Sequence, residues 1–184
     1  MPVGVIIAIA IVVLLVLYVI STYNSLVTLR NRVEDQWSQI DVELKRRFDL
    51  IPNLVETVKG YAKHEKETLE GVVNARNKYL SSNNKEDAMN ADGELNNAIT
   101  RLFALAESYP ELKANENFNL LQQDLKETED KISFARKFYN DTALLLNNKV
   151  ALFPSNLVAK MFNINKVDYF KANEQEKENV KVKF

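Results

Sequence analysis

Cysteine is absent from the 184 residues. That one absence removes disulfide staples, thiolate metal ligands, a lipidated N-terminal Cys and Cys nucleophiles together. Histidine occurs once, as His64, so no His-rich or Cys-rich zinc site can be assembled within a single subunit. Only four glycines and four prolines are present, too few for a turn-dense β architecture, and the scattered glycines form no phosphate-binding loop. Charge of one sign is lacking as well. With 24 Lys+Arg against 25 Asp+Glu, no whole-chain field gathers nucleic acid or a polyanionic substrate. What is abundant favours long helices, namely Glu, Lys, Leu, Asn and Ala. The length suits one soluble domain and an appendage.

Residues 3–20 contain no charge, and fourteen of these eighteen are Val, Ile or Leu. Eighteen residues at about 1.5 Å each make roughly 27 Å of helix, close to the hydrocarbon thickness of a bilayer. Each aliphatic side chain contributes roughly −0.3 to −0.6 kcal/mol to insertion, or about −4 to −8 kcal/mol together. Tyr18 and Tyr23 suit the interface. A cleaved signal peptide fits less well, because the apolar run is long and no Lys or Arg precedes it. Arg30 and Arg32 lie downstream, so the positive-inside rule places the rest of the chain in the cytoplasm.

Beyond the apolar run, Leu26, Val33, Trp37, Ile40, Leu44 and Ile51 share one helical face, and the membrane helix is expected to continue into them. Asp41 with Lys45 and Glu43 with Arg47 read as i,i+4 pairs on a solvated face. Pro52 lacks an N–H and disfavours helical backbone at Ile51, so a break or tight kink is expected over residues 49–53. Arg46 or Arg47 either orders that bend, by bonding helix-end carbonyls or Asp49, or lies solvated on the surface. A lipid-binding role for Lys45-Arg46-Arg47 fits poorly, since a continuous helix carries them about 37 Å from the membrane.

A second helix is expected on Leu54, Val58, Tyr61, Leu69, Val72 and Tyr79, closed by a polar turn at Ser81-Ser82-Asn83-Asn84. Gly60 and Gly71 inside it suggest close helix approach. A third, shorter helix is carried by Leu95, Ile99, Leu102, Ala106 and Tyr109 and stops at Pro110. A fourth shows steps of three and four from Phe118 through Leu125, Ile132 and Tyr139 to Leu146. Phe134, Phe138 and Leu145 widen its stripe, which predicts burial against more than one neighbour, as in a bundle. Pro154 ends this helix, and Ser155 is expected to cap a short one reaching about Phe162.

Several of these segments together resemble the LemA family of bacterial membrane proteins. The first is Tyr23-Asn24-Ser25-Leu26-Val27 with Arg30-Asn31, then Trp37-Ser38-Gln39-Ile40-Asp41-Val42 and Leu44-Lys45-Arg46-Arg47. Next come Asp49-Leu50-Ile51-Pro52-Asn53-Leu54-Val55, Val58-Lys59-Gly60-Tyr61 and His64-Glu65. Ala106-Glu107-Ser108-Tyr109-Pro110-Glu111-Leu112-Lys113-Ala114, Ala135-Arg136-Lys137-Phe138-Tyr139-Asn140 and Phe153-Pro154-Ser155-Asn156 complete the likeness. The resemblance implies a short extracytoplasmic N-terminus, one membrane pass and an antiparallel helical bundle. It implies no reaction and no catalytic residues.

Candidate chemistry is sparse. His64-Glu65 begins a zinc-peptidase helix motif, but its second histidine position holds Thr68. A di-iron centre needs Glu-x-x-His, and the residue three before His64 is Tyr61. Glu65, Glu67 and Glu70, and likewise Asp124, Glu127, Glu129 and Asp130, read as solvated faces, and His64 as a capped or solvated helix residue. No serine has a histidine partner for a Ser-His-Asp arrangement.

The expectation is therefore an all-α chain with a transmembrane anchor (residues 1–22), an elongated antiparallel four-helix-type bundle (23–170) and a charged, mobile tail (171–184). No catalytic, cofactor-binding or metal residue is assigned. The expected partners are the lipid bilayer through residues 3–20, an unidentified protein and a second copy of the chain, but no nucleic acid. The expected place is the bacterial inner membrane, single-pass, with the N-terminus outside and the bundle cytoplasmic. The function expected is noncatalytic protein interaction or scaffolding. The alternative is a metal-dependent hydrolase or oxidase assembled across subunits, since only an intersubunit contact supplies a second histidine.

Overall fold

In the computed structural model, which describes residues 2–170, the apolar run and the stripe after it belong to a single helix, α1 (Val3–Tyr61, 59 residues). The expected break does not occur, and Pro52 lies inside α1. A proline there has no N–H to give the carbonyl of Phe48, its acceptor four residues back. Arg76 Nε donates to that oxygen at 3.1 Å instead. The carbonyl that proline leaves without a partner is satisfied by a side chain from another helix, and α1 runs nine residues past the proline.

Among the described residues five more helices follow: α2 (Lys66–Leu80), α3 (Lys85–Ala106), α4 (Pro110–Lys113), α5 (Glu116–Ala151) and α6 (Ser155–Met161). None of the described residues lies in a strand. Because α1 keeps residues 54–61, α2 has 15 residues and α3 has 22, so the third stripe is not the shorter one. The turn at Ser81-Ser82-Asn83-Asn84 forms as expected. The side chain of Asn84 caps α3 by accepting from the Asp87 N–H. Gly60 and Gly71 are not at close approaches, since a Cβ at either would meet nothing within 4 Å.

The chain divides into two compact units. Among the described residues, the first, here the anchor unit, comprises 2–39 with Ala135–Tyr169; the second, the bundle unit, comprises Ile40–Phe134 with Phe170. The expected tail at 171–184 lies outside the described residues. Within the bundle unit, α2 runs antiparallel to α1, with Tyr79 opposite Asp41 and Arg76 opposite Phe48. The other long elements alternate likewise: Lys78 of α2 meets Glu94 of α3, and Asn115 bonds Tyr61 where α5 begins. The result is an antiparallel four-helix bundle. Ile40, Leu44, Ile51, Leu54 and Val58 of α1 share its core with Val72, Leu95, Leu102, Leu125 and Ile132.

Within the anchor unit, α1 and α5 are antiparallel. Lys149 Nζ donates to Ser25 Oγ at 2.6 Å, and Trp37 meets Tyr139 edge-on with ring centroids 5.9 Å apart. After α5, Ser155 does not cap α6; its hydroxyl donates to the Leu152 carbonyl and Pro154 holds the cap position. Asn163 then takes a left-handed conformation (φ 52°). Its N–H reaches the Lys160 carbonyl and that of buried Ile164 reaches Ala159, closing α6 and reversing the chain. The returning segment is held by Asn147, which exchanges two 2.9 Å hydrogen bonds with the Val167 backbone, and by Tyr139, which donates to the Asp168 carbonyl. Phe138 and Leu145 stay exposed here, as does Phe134 in the bundle unit, so the widened stripe is not buried against a second neighbour.

Candidate functional site

Two features are candidates for function, one in each unit. In the anchor unit, α1 is long and apolar enough to cross a membrane, and no other part of the described residues covers the span. Of residues 3–20 only Val19 is partly shielded. A helix that is apolar all round and uncovered needs an apolar medium, and its backbone polar groups are already paired within the helix. Thr22 and Leu26, immediately beyond, are buried. The transition from exposed apolar helix to packed helix therefore falls within residues 20–26.

In the bundle unit the candidate is a buried cluster of charge. Arg47 is 2% exposed. Its guanidinium lies 2.7 Å from a Glu129 oxygen and 3.4 Å from Asp92, which is also 2% exposed, and it donates to Asn96 Oδ1 at 2.9 Å. Asn96 Nδ2 in turn donates to Glu129 Oε1. One cation and two carboxylates from three helices thus meet inside the core. Charges taken out of water are tolerated only when paired and hydrogen-bonded. This placement corrects three expectations. Arg47 pairs with Asp92 and Glu129 rather than Glu43, it does not order the Pro52 region, and Glu129 is not part of a solvated face.

Asp92, Asn96 and Arg76 were not singled out by the sequence pattern. A signal was present. Arg47 occupies the stripe between Leu44 and Ile51, and Asp92 continues the stripe of Leu95, Ile99 and Leu102 one step upstream. A charge at a core-facing position of one helix calls for an opposite charge at a core-facing position of another.

A second polar contact sits beside the cluster. The Tyr79 ring packs on Phe48 with centroids 4.3 Å apart and planes tilted by 43°, and its hydroxyl donates to Asp41. Burial first, and then the Asp41 carboxylate, push the Tyr79 phenol well above its usual range. It stays a neutral donor.

The candidate metal-binding side chains are dispersed. His64 is exposed in the turn between α1 and α2, not in a helix. Glu65 beside it accepts from the Tyr109 hydroxyl at 3.0 Å, which raises the Tyr109 phenol. Glu70 pairs with Lys66. Glu127 pairs with Lys131, whose hydrogen bond holds that carboxyl below its usual range. Among the described residues, no group of three His, Cys, Asp or Glu side chains is arranged to hold a metal ion.

The LemA family profile matches residues 36–184. Protein LemA of Metamycoplasma hominis is 27% identical over 158 residues, covering 85% of this chain and 72% of that protein. Magnetosome protein MamQ 2 of Paramagnetospirillum magneticum is 25% identical over 174 residues, covering 80% of this chain and 64% of the relative. Magnetosome protein MamQ of Magnetospirillum gryphiswaldense is 26% identical with the same coverage. The chain thus spans less than two thirds of the length of these magnetosome relatives.

Proposed function

Because this chain belongs to the LemA family, we propose that it is a membrane-tethered, noncatalytic helical bundle that binds a protein partner or scaffolds an assembly at the bacterial cell membrane. The bundle lies on the cytoplasmic side. The partner is another protein, a second copy of the chain included. One observation carries this reading: uncovered apolar residues 3–20 and the buried stripe from Leu26 onward are the same helix. Insertion of the first part leaves the second folded in water, where its polar outer surface is available to partners. Exposed Arg30 and Arg32, just past the apolar run, support the cytoplasmic side. The Arg47 cluster supports a structural use of charge, since its groups face one another inside the core.

Two experiments test it. With no native cysteine, Asn83→Cys in the exposed α2–α3 turn is a unique reporter. It is expected to resist a membrane-impermeant thiol reagent on intact cells and to react after lysis; labelling of intact cells would put the bundle outside. Crosslinking in membranes, followed by detergent extraction and affinity capture, is expected to return either a self-crosslinked species or a reproducible protein partner. Recovery of neither refutes the scaffold reading.

A further inference from the structure

The exposed face of α6 and the turn before it is apolar, although this part of the protein lies well over a hundred residues beyond the span in sequence. Phe153 is 78% exposed, Leu152 62%, Leu157 59% and Met161 59%. Leu157 and Met161 are four apart and share one side of α6, whereas Val158 and Ala159 face inward and are buried. A face of this kind calls for a covering.

Its position says what covers it. Phe162, directly after α6, packs its ring on Tyr23 with centroids 4.4 Å apart. Tyr23 lies three residues past the apolar run, about 4–5 Å along the helix axis from Ile20. The end of α5 is held at the same level by the bond from Lys149 to Ser25. The chain then reverses at Asn163 and returns along α5 as far as Tyr139. The apolar face is therefore presented near the level at which the spanning helix leaves the hydrocarbon.

We propose that α6 and the Leu152-Phe153 turn are a second, interfacial membrane contact, in which Phe153, Leu157 and Met161 enter the headgroup–acyl boundary beside the spanning helix. The occupant is the lipid bilayer. Aromatic and aliphatic side chains of short amphipathic helices insert to about this depth, and aromatic rings concentrate at this level of a membrane. Lys160, exposed on α6, reaches lipid phosphates from the flank of the inserted face. The contact gives the anchor unit two points of attachment, which sets its rotation and tilt against the bilayer where a single helix leaves both free. This inference rests on the reading of residues 3–20 as a bilayer span.

The test uses the full-length protein in vesicles of phosphatidylethanolamine and phosphatidylglycerol. Phe153→Cys, Leu157→Cys and Met161→Cys each carry one environment-sensitive fluorophore. Leu14→Cys is the reference inside the span, and Ser38→Cys, exposed on α1 about 22 Å beyond Tyr23, is the aqueous reference. The expected result is a blue-shifted emission at positions 153, 157 and 161, quenched by nitroxides placed at the glycerol level of the lipid and shielded from aqueous iodide. Leu14 reads hydrocarbon and Ser38 reads water. Iodide quenching at all three α6 positions with Leu14 still in lipid overturns the interfacial contact and leaves the span intact. Shielding from both quenchers at those positions, as a covering protein surface would give, also overturns it. Leu14 in water removes the span and the contact together. Circular dichroism of each labelled variant is required to match the parent, and three independent positions keep the result clear of any one that misfolds.

Discussion

The Arg47 cluster of the bundle unit and the Asn147–Val167 clasp of the anchor unit both bury polar groups, but they do so with different chemistry. In the bundle unit the partners are ions. Arg47 holds Asp92 and Glu129, and the guanidinium of Arg76 serves the carbonyl that Pro52 leaves open. In the anchor unit the returning segment is held by neutral bonds: Asn147 pairs with both backbone groups of Val167, and Tyr139 donates to the Asp168 carbonyl. Ionic cores are sensitive to loss of one member, because the survivor is a buried charge; neutral hydrogen bonds cost less when broken. These two sets of contacts should therefore respond to side-chain deletion on different scales.

The largest difference is expected at Arg47. Arg47→Ala strands two carboxylates, one of them fully buried, and should lower unfolding stability by about 3–5 kcal/mol. Denaturant titration of the detergent-solubilised protein measures it. Replacing Arg47 and Asp92 together by Met and Leu should recover much of that loss, because the pair is then absent rather than broken. A single-variant loss no larger than an exposed ion pair, below about 1 kcal/mol, would show that the cluster is hydrated and the contrast between the units wrong.

Next is Arg76→Met, expected to cost about 1.5–3 kcal/mol for a lost charge-assisted hydrogen bond. The sharper form of this test adds Pro52→Ala. Alanine restores the N–H that Phe48 lacks, so Arg76→Met should cost clearly less in that background. Equal losses in both backgrounds would mean that Arg76 contributes through packing alone.

In the anchor unit, Tyr139→Phe should cost only about 1 kcal/mol near neutral pH. Its signature is alkaline. Burial first, with help from Glu34 and Asp168, pushes the Tyr139 phenol from 10.0 to about 12. The folded state thus keeps a proton that the unfolded chain releases, so this stability is complete below pH 10 and is lost as pH rises toward 12. Thermal unfolding measured from pH 9 upward should fall less steeply in Tyr139→Phe than in the parent. A residual slope remains, because Tyr79 of the bundle unit is raised in the same sense. Identical slopes would show that Tyr139 is not desolvated.

The smallest effect runs the other way. Gly71 is helical, exposed and free of neighbours where a Cβ would project, so Gly71→Ala should stabilise the bundle unit by about 0.5–1 kcal/mol. A loss in the same denaturant titration would restore the close-approach reading that the structure sets aside.

The long elements were legible because their signals are local. Leu26, Val33, Ile40, Leu44 and Ile51 are all buried on α1, and Phe118, Leu125, Ile132, Tyr139 and Leu146 on α5, as their spacing predicts. The Ser81–Asn84 turn was legible through its capping chemistry. Periodicity missed the polar core because it registers hydrophobic residues and passes over Arg47 and Asp92 at the very positions it marks. It also overcounted, since Phe134, Phe138 and Leu145 lie beside the stripe yet remain exposed. In the candidate sites, the span could be read directly; the lipid-facing side of α6 could not, because its meaning depends on Tyr23, far away in sequence.

By itself the sequence determined the helical class, the absence of thiol chemistry and a segment long and apolar enough to span a bilayer, since these depend on composition and on contacts a few residues apart. Only the tertiary structure decided whether α1 survives its proline, which way Arg47 faces and where α6 comes to rest. Each depends on a partner from another helix: Arg76 for the Phe48 carbonyl, Asp92 and Glu129 for Arg47, Tyr23 for Phe162. A proline in a helix or a charge in a core is unfavourable when judged from its own segment. It becomes stable only when a distant residue supplies the missing donor or counter-charge, and that residue's position is set by the packing of the chain.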